Sequence, residues 1–266
     1  MVSYQTIKQN YNKTLQHFNY KGISSFQNGL NVQQQYMIEN LAYKSLQSKF
    51  KSLSKKYPGQ YINETELNSL ELLKPSPKIL TFEFDNVYAG GLKSKIELND
   101  TEISKYKKFG GEYFQLNRGG QVTWHGQGQL TSYLLIDIKS FKNLTAKCFV
   151  SNVLLNSIIE VLKKYDIKAT TDDENPGVWI DNDTKIASVG IRVRHGITEF
   201  GIALNINPNL KYSNQFEMCG LKDKSATSIY EINGKNPSVE EVGDLFTKEV
   251  AKALNIENIQ KIDLEN

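Results

Sequence analysis

The chain has 266 residues, of which 39% are hydrophobic and 23% charged, and its formal net charge is +3. This composition is typical of a folded globular protein and excludes a disordered chain. The small net charge argues against nucleic-acid binding, since we find no basic stretch with interleaved aromatic residues. No apolar run approaches the roughly 18 residues that a membrane-spanning helix needs.

The N-terminus lacks acidic residues, because the first Asp or Glu of the chain is Glu39. No hydrophobic secretory segment opens the chain, but organellar transit segments share this lack of acid. We therefore expect residues 1–30 to form a polar N-terminal extension, either a transit segment or simply a polar terminus, followed by a single domain over residues 31–266.

The first predicted elements are a helix and a strand. Apolar residues recur at helical spacing over Val32–Tyr57, which predicts a helix that ends at Pro58-Gly59. Residues 59–78 are polar and form a connection with one short helix near Glu64–Leu73. The β-rich run Ile79–Phe84 predicts a strand.

The middle of the chain predicts extended segments around a glycine-rich stretch, and then a helix. The extended segments are Phe114–Trp124, which overlaps the motif RGGQVTWHGQGQ, and Leu130–Ile138, which directly follows it. Over Ala146–Tyr165 one apolar face recurs with helical period.

The last third predicts strands and a final helix. Gly177–Ile180 is a short strand, and Lys185–Val193 with Thr198–Ile206 forms a β-hairpin candidate. A capping box at Ser238–Glu241 opens a helix that runs to about Leu254. The order of elements shows no regular βαβ alternation, so we expect an α+β fold with a mixed or antiparallel central sheet flanked by helices.

The glycine-rich stretch is the first candidate for chemistry. Its four glycines let another group approach the main chain closely, but the pattern matches neither phosphate-binding glycine motif. A tight connection between strands explains the glycines equally well. Arg118 offers a fork of donors for a carbonyl or phosphate, and His125 is a donor, a base or a turn residue.

A cysteine and a lysine are the second candidate. Cys148 and Cys219 are 71 residues apart and make neither a zinc pattern nor a disulfide framework. Cys148 falls on the predicted apolar helix, whereas Cys219 precedes a glycine after a strand, where a thiolate could act as a nucleophile. Lys185 begins a strand, and if it approached Cys219 its ammonium would favour the thiolate. Spacing alone does not establish that contact.

Five blocks in this order resemble the lipoyl(octanoyl) transferase family over about residues 82–229. They are RGGQVTWHGQGQ, PGVWI, KIASVG, FGIALNIN, and MCGL with ATSI. The resemblance implies the catalytic fold shared by biotin and lipoate protein ligases. It also implies transfer of octanoate from acyl carrier protein, through a cysteine thioester, to a specific lysine of a lipoyl-carrier domain.

The resemblance implies roles for individual residues. Cys219 resembles the nucleophile, and Lys185 resembles the residue that lowers the thiol pKa and carries protons. The substrate-contact segments it implies are Arg118, Gly119, Gly120, Gln121, Val122, Thr123, Trp124 and His125; Ser188, Val189 and Gly190; and Gly201, Ile202 and Ala203. No metal and no cofactor are implied, because transfer between thioesters is nearly isoenergetic and needs no ATP.

The implied partners are octanoyl-acyl carrier protein as donor, and lipoyl domains of 2-oxoacid dehydrogenases and the glycine cleavage H protein as acceptors. We expect a mitochondrial monomer. Three positions depart from the family pattern: Phe200 stands where the family has histidine, and Met218 and Gln127 stand where it has proline. Two alternatives remain open, an ATP-dependent lipoate-protein ligase and a non-catalytic relative that binds lipoyl domains.

Overall fold

A computed structural model describes residues 14–56, 73–216 and 224–265. Its strands, in chain order, are β1 (Thr14–Ser24), β2 (Lys78–Phe84), β3 (Val87–Gly90), β4 (Glu112–Gln115), β5 (Thr123–His125), β6 (Gln129–Leu135), β7 (Thr170–Thr171), β8 (Gly177–Trp179), β9 (Thr184–Arg194), β10 (Ile197–Asn205), β11 (Ser225–Ala226) and β12 (Asn258–Glu265). Its α-helices are α1 (Phe26–Lys56), α2 (Leu92–Glu97), α3 (Asp100–Lys108), α4 (Ala146–Cys148), α5 (Asn156–Lys163), α6 (Lys211–Asn214), α7 (Ile229–Asn233) and α8 (Val239–Ala253). A π-helical segment, Phe149–Leu155, joins α4 to α5, and a 3-10 turn spans Ile138–Ser140.

The described strands form one large sheet and one small one. The large sheet has the order β12-β1-β2-β6-β10-β9-β8-β7, with β11 paired to β9. Strand β1 is parallel to both β12 and β2, while the β2, β6, β10, β9 and β8 pairings are antiparallel. The small sheet has the order β4-β3-β5. This mixed sheet with flanking helices confirms the predicted α+β class.

The large sheet buries a hydrophobic layer on each face. On one face, α5, α8 and the π-helical segment bury Phe149, Leu162 and Phe246 completely. On the other, α1 covers an aromatic cluster that includes Phe82 and Phe84. Each such side chain contributes about 1.5–3 kcal/mol to folding, so these two layers fix the strands that carry the site.

Most predicted elements are confirmed with shifted ends, but the continuous extended segment predicted over Phe114–Trp124 is wrong, because residues 116–122 form a loop between β4 and β5. The N-terminal prediction also needs a correction. Helix α1 begins at Phe26, six residues before the expected start. Residues 14–24, expected to lie in the extension over 1–30, form a strand within the large sheet. The apolar alternation in TLQHFNYKGIS is weak, because buried polar residues such as His17 and Asn19 share its inward face. The short helix expected near 64–73 falls largely outside the described residues.

The β-hairpin prediction is confirmed and its turn has a clear cause. Strands β9 and β10 pair antiparallel from Ile197 opposite Arg194 to Leu204 opposite Ala187. The two turn residues, His195 and Gly196, both have positive φ, 53° and 87°. A two-residue turn with this geometry matches the right-handed twist of the strands it joins. The hairpin therefore holds β9 and β10 in a fixed register.

In the described part of the chain, no helix is long and apolar enough to cross a membrane.

Candidate functional site

A groove lies over β9 and β10 and has two compartments. The apolar compartment is lined by Phe26, Leu116, Arg118, Thr123, His125, Thr131, Tyr133, Ser188, Val189, Gly190, Phe200, Gly201, Ile202 and Ala203. The lysine compartment is lined by Thr123, Trp124, Gln129, Lys185, Ala187, Ser188, Ala203, Asn205, Ser213, Phe216 and Ala226. Each has a volume of about 320 Å³, part of it open to solvent. Three residues, Thr123, Ser188 and Ala203, line both, so the two compartments adjoin.

The hairpin register explains why small residues form the floor of this groove. Ser188 pairs with Ala203, and Gly190 pairs with Gly201. Paired residues of an antiparallel sheet share a face, so these two glycines and two small side chains lie side by side on one face. Their small size leaves room above the sheet for a ligand to approach the main chain.

Lys185 occupies a confined position in the lysine compartment. It is only 3% exposed, and its Nζ lies 4.8 Å from the centroid of the Trp179 ring. Gly177 packs so closely that a Cβ there would be 2.2 Å from Lys185 Cε. Ala226 of β11 pairs with Lys185, and the Thr227 N–H donates to its carbonyl. The side chain is therefore held by an aromatic face and by the backbone of a neighbouring strand.

A chain of amide side chains joins the lysine compartment to His125. Gln129 Nε2 donates to Asn205 Oδ1 at 2.9 Å, and Asn205 Nδ2 donates to the Thr227 carbonyl at 2.9 Å. Gln129 Oε1 lies 2.9 Å from His125 Nδ1. These bonds fix the orientation of Gln129 and Asn205 in the lysine compartment and of His125 in the apolar compartment.

His125 is buried and neutral at physiological pH. Its burial, assisted by the positive charge of Arg118, lowers its pKa from 6.5 to about 3. Such a group is a poor proton acceptor near pH 7, because a general base works best with a pKa close to the operating pH. The sequence left three roles open for His125: hydrogen-bond donor, base or turn residue. The geometry favours a hydrogen-bonding role, with the ring in the wall of the groove.

Arg118 holds its own loop together. Its guanidinium donates to the carbonyls of Ala89, Gly119 and Gln121 at 2.8, 2.9 and 3.1 Å. It is only 5% exposed and lies against Gly190, where an added Cβ would be 2.9 Å from Arg118 Cδ. The donors predicted for a ligand carbonyl or phosphate are thus directed to backbone carbonyls, so the side chain mainly shapes the compartment wall.

Two glycines of the motif are required by the protein's own packing. A Cβ at Gly126 would lie 2.1 Å from the Trp124 ring, and one at Gly128 would lie 2.3 Å from the Asn207 carbonyl oxygen. The idea that all four glycines make space for a ligand is therefore wrong for these two. A connection that must fit closely against its own chain explains them.

The structure brings most of the predicted site residues together. Those that line one or both compartments are Arg118, Thr123, Trp124, His125, Lys185, Ser188, Val189, Gly190, Gly201, Ile202 and Ala203. Four others line neither: Gly119 and Gly120 are exposed, Val122 is buried in a separate aromatic cluster, and Gln121 bonds to Glu97. Cys219 lies outside the described residues.

Several groove residues were not predicted from the sequence. Phe26, Tyr133 and Phe200 line the apolar compartment, and Asn205 lines the lysine compartment. Strand alternation offers a signal for Asn205, since it shares a face with Gly201 and Ala203. No comparable signal exists for Phe26, which comes from the start of a distant helix. In the described ranges, no group of three or more His, Cys, Asp or Glu side chains is arranged to hold a metal ion.

Curated relatives match nearly the whole chain. The mitochondrial octanoyltransferase of Kluyveromyces lactis is 36% identical, over 96% of this chain and 84% of its own length. That of Saccharomyces cerevisiae is also 36% identical, over 96% and 86%.

Solved structures of lipoate-protein ligases share the fold. Lipoate-protein ligase A bound with ATP superposes with a TM-score of 0.59 at 13% identity, covering 94% of this chain and 89% of that one. A bipartite lipoate-protein ligase of Thermoplasma acidophilum gives 0.55 at 15% identity, covering 95% and 87%.

The sequence profile of the lipoyl protein ligase A/B catalytic domain matches residues 62–251 of the chain. This segment contains every strand that lines the groove. With the two relatives at 36% identity, it shows that the chain belongs to the lipoyl protein ligase A/B catalytic domain family.

Proposed function

We propose that the protein is an octanoyltransferase of protein lipoylation. It takes an octanoyl group from octanoyl-acyl carrier protein onto Cys219, and then passes it to a specific lysine of a lipoyl domain. The relatives named octanoyltransferase support the reaction. The observation that carries the proposal is a buried lysine in a compartment that adjoins an apolar groove.

The chain on both sides of Cys219 supports its placement near Lys185. Phe216 precedes it by three residues and Ala226 follows it by seven, and both line the lysine compartment. Because residues on both sides of Cys219 line the lysine compartment, we propose that its thiol acts together with the Lys185 amine.

In the first step, the Cys219 thiolate attacks the thioester carbonyl of the donor. The bond from the carbonyl carbon to the pantetheine sulfur breaks, a new thioester forms on Cys219, and the carrier leaves as a thiol after taking up a proton. An ammonium at Lys185 favours the thiolate form of a nearby cysteine by direct charge interaction. The same ammonium can supply the proton to the leaving sulfur.

In the second step, the neutral amine of the acceptor lysine attacks the acyl-enzyme. The new amide bond forms, the bond to the Cys219 sulfur breaks, and the amine loses a proton, which Lys185 can accept. Splitting the transfer in this way is covalent catalysis with ping-pong kinetics. The amide is the more stable product, so the second step drives the first.

The apolar compartment is where we place the acyl chain. It adjoins the lysine compartment through Thr123, Ser188 and Ala203, so a chain whose carbonyl lies near Lys185 can extend over the small residues of β9 and β10. Burying its methylenes there contributes about 0.8 kcal/mol for each CH₂.

The remaining assignments follow the relatives. The two yeast proteins are mitochondrial octanoyltransferases, which supports a mitochondrial location for this protein. The acceptors we propose are lipoyl domains of 2-oxoacid dehydrogenases and the glycine cleavage H protein, and we propose that the enzyme acts as a monomer.

Intact-mass spectrometry after incubation with octanoyl-acyl carrier protein tests this function. We expect one octanoyl adduct, mapped by peptide analysis to Cys219. Cys219→Ala should abolish the adduct, and Cys148→Ala, the matched control at the other cysteine, should retain it. An adduct on neither cysteine, or one that persists in Cys219→Ala, would reject the acyl-enzyme.

The same Cys219→Ala variant separates a transferase from a ligase. An ATP-dependent lipoate ligase forms an activated acyl adenylate and has no need of this thiol. It would keep its activity with free lipoate and ATP, whereas the proposed transferase would lose nearly all of its activity. The fold shared with lipoate-protein ligases makes this control necessary.

A further inference from the structure

Phe200 has an unusual backbone conformation for its place in a strand. It lies within β10, yet its φ is 64°, in the left-handed region. This region is costly for a bulky aromatic residue, because its Cβ crowds the backbone. Such an outlier persists only where the surrounding structure holds it in place, and it often marks a functional position.

On the β6 side of β10, other hydrogen bonds replace those of a regular ladder near Phe200, whereas on the β9 side Phe200 still pairs with Ile191. The β10–β6 register runs from Asn205 to Gly201, and pairing resumes at the isolated bridge between Ile197 and Asp137. In between, the Phe200 N–H donates to Gln33 Oε1 of α1 at 2.5 Å. Thr198 Oγ1 donates to the Leu134 carbonyl and accepts from the Ile136 N–H. Side chains of Gln33 and Thr198 thus supply hydrogen bonds around the distortion, together with the backbone bond from the Thr198 N–H to the Ile136 carbonyl.

This distortion changes the face on which the Phe200 ring lies. Ile202 and Leu204, its neighbours at the strand period of two, pack in the hydrophobic layer beneath α5 and α8. Phe200 instead belongs to the aromatic cluster beneath α1 and lines the apolar compartment. Its ring meets Tyr133 edge to face, with 5.7 Å between centroids, and the residue is 7% exposed.

Phe200 also stands at the end of the groove away from Lys185. Along β10, Asn205 lines the lysine compartment, Ala203 lines both compartments, and Phe200 lines only the apolar one. The three residue steps from Ala203 to Phe200 span roughly 10 Å. That distance is about the length of an extended octanoyl chain.

We propose that Phe200 is a specificity-determining residue that limits the length of the acyl chain. Its ring closes the far end of the apolar compartment, so a chain with more methylenes has to displace a side chain held by Tyr133 and by a constrained backbone. The proposal rests on the proposed function, since it takes the apolar compartment as the acyl site.

The test compares acylation rates with carrier protein loaded with octanoyl, decanoyl or dodecanoyl chains. In the unaltered protein we expect octanoyl to react at least about tenfold faster than dodecanoyl, because one misfitting methylene in an apolar pocket already changes the rate by roughly this factor. Phe200→Gly opens the compartment and suits the positive φ, and Phe200→Leu shortens the side chain. In both variants the ratio should fall below about threefold.

Phe246→Leu is the matched control, because Phe246 is fully buried in the opposite hydrophobic layer. It should lose stability but keep the chain-length ratio. Thermal unfolding of each variant checks that it is folded, and Phe200→Leu provides the test if Phe200→Gly fails to fold.

Two results would overturn the inference: equal rates with octanoyl and dodecanoyl chains in the unaltered protein, or an unchanged ratio in a folded Phe200 variant. Failure of the proposed function looks different, since the unaltered protein would then form no adduct with any chain.

Discussion

The Nζ of Lys185 lies 4.8 Å from the centroid of the Trp179 ring, on a side chain that is only 3% exposed. A cation over an aromatic face gains about 2 kcal/mol when it is desolvated. Trp179 therefore both stabilises the ammonium and fixes its position. The Trp179 ring is itself held by a bond from Nε1 to the Asn175 carbonyl at 3.0 Å.

Substitution of Trp179 should affect activity according to whether an aromatic face remains. Trp179→Phe keeps a ring beneath Lys185, whereas Trp179→Leu removes it, and both lose the bond to Asn175. We expect Trp179→Leu to be roughly tenfold slower than Trp179→Phe in octanoyl transfer, which corresponds to about 1.4 kcal/mol. Single-turnover acylation measures the rates, and thermal unfolding measures stability. Equal rates in two folded variants would contradict a positioning role.

Arg118→Lys should destabilise the protein although it keeps the charge. The guanidinium donates to three backbone carbonyls, those of Ala89, Gly119 and Gln121. A lysine ammonium cannot reproduce this planar arrangement, and the buried carbonyls lose partners. We expect a loss of about 2–4 kcal/mol in the free energy of unfolding, measured by urea denaturation. Arg192→Lys, at an arginine whose side chain is 37% exposed, is the control and should lower stability less than Arg118→Lys does.

Gln33→Leu should lower the free energy of unfolding, because it removes a hydrogen bond that supports the distortion in β10. Gln33 is 4% exposed, and its Oε1 accepts the Phe200 N–H. Without this acceptor a buried backbone donor is left unpaired, which costs about 1–3 kcal/mol. Gln27→Leu, at an exposed position of the same helix, should change stability by less than about 0.5 kcal/mol. Similar denaturation midpoints for the two variants would show that another acceptor satisfies Phe200.

Two buried histidines predict a loss of stability in mild acid. Burial lowers the pKa of His17 from 6.5 to about 4, and burial with the charge of Arg118 lowers that of His125 to about 3. Between pH 6.5 and 4 the unfolded chain binds protons that the folded chain does not. The free energy of unfolding therefore falls as the pH falls through this range, by up to about 1.4 kcal/mol per pH unit for each histidine.

Urea denaturation between pH 7 and pH 4.5 measures this slope. The folded variant His17→Gln lacks this titrating group. Its free energy of unfolding should depend less steeply on pH, by a slope equivalent to at most about one bound proton. A flat profile in the unaltered protein would contradict the burial of neutral histidines.

Local patterns in the sequence determined the elements that position the site. The hairpin of β9 and β10 follows from β-type residues on both sides of a two-residue turn. Helix α8 follows from Ser238, whose side chain accepts the Glu241 N–H, and from an apolar stripe. Lys185 and the small residues of the groove floor could be named because blocks of the sequence resemble a known family. Such features depend on residues close to one another in the chain.

Tertiary structure decided what lies between distant segments. Phe26 and Tyr133 come from a helix and a strand more than one hundred residues apart, yet they line one compartment. The strand β1 escaped prediction because its inward face carries His17 and Asn19, whose partners Thr81 and Asp263 lie far along the chain. The face taken by Phe200 is set by Gln33 on a helix 167 residues away. The period-two alternation of β10 assigns Phe200 to the opposite face. That assignment is wrong because a local pattern carries no information about a backbone conformation that distant hydrogen bonds hold in place.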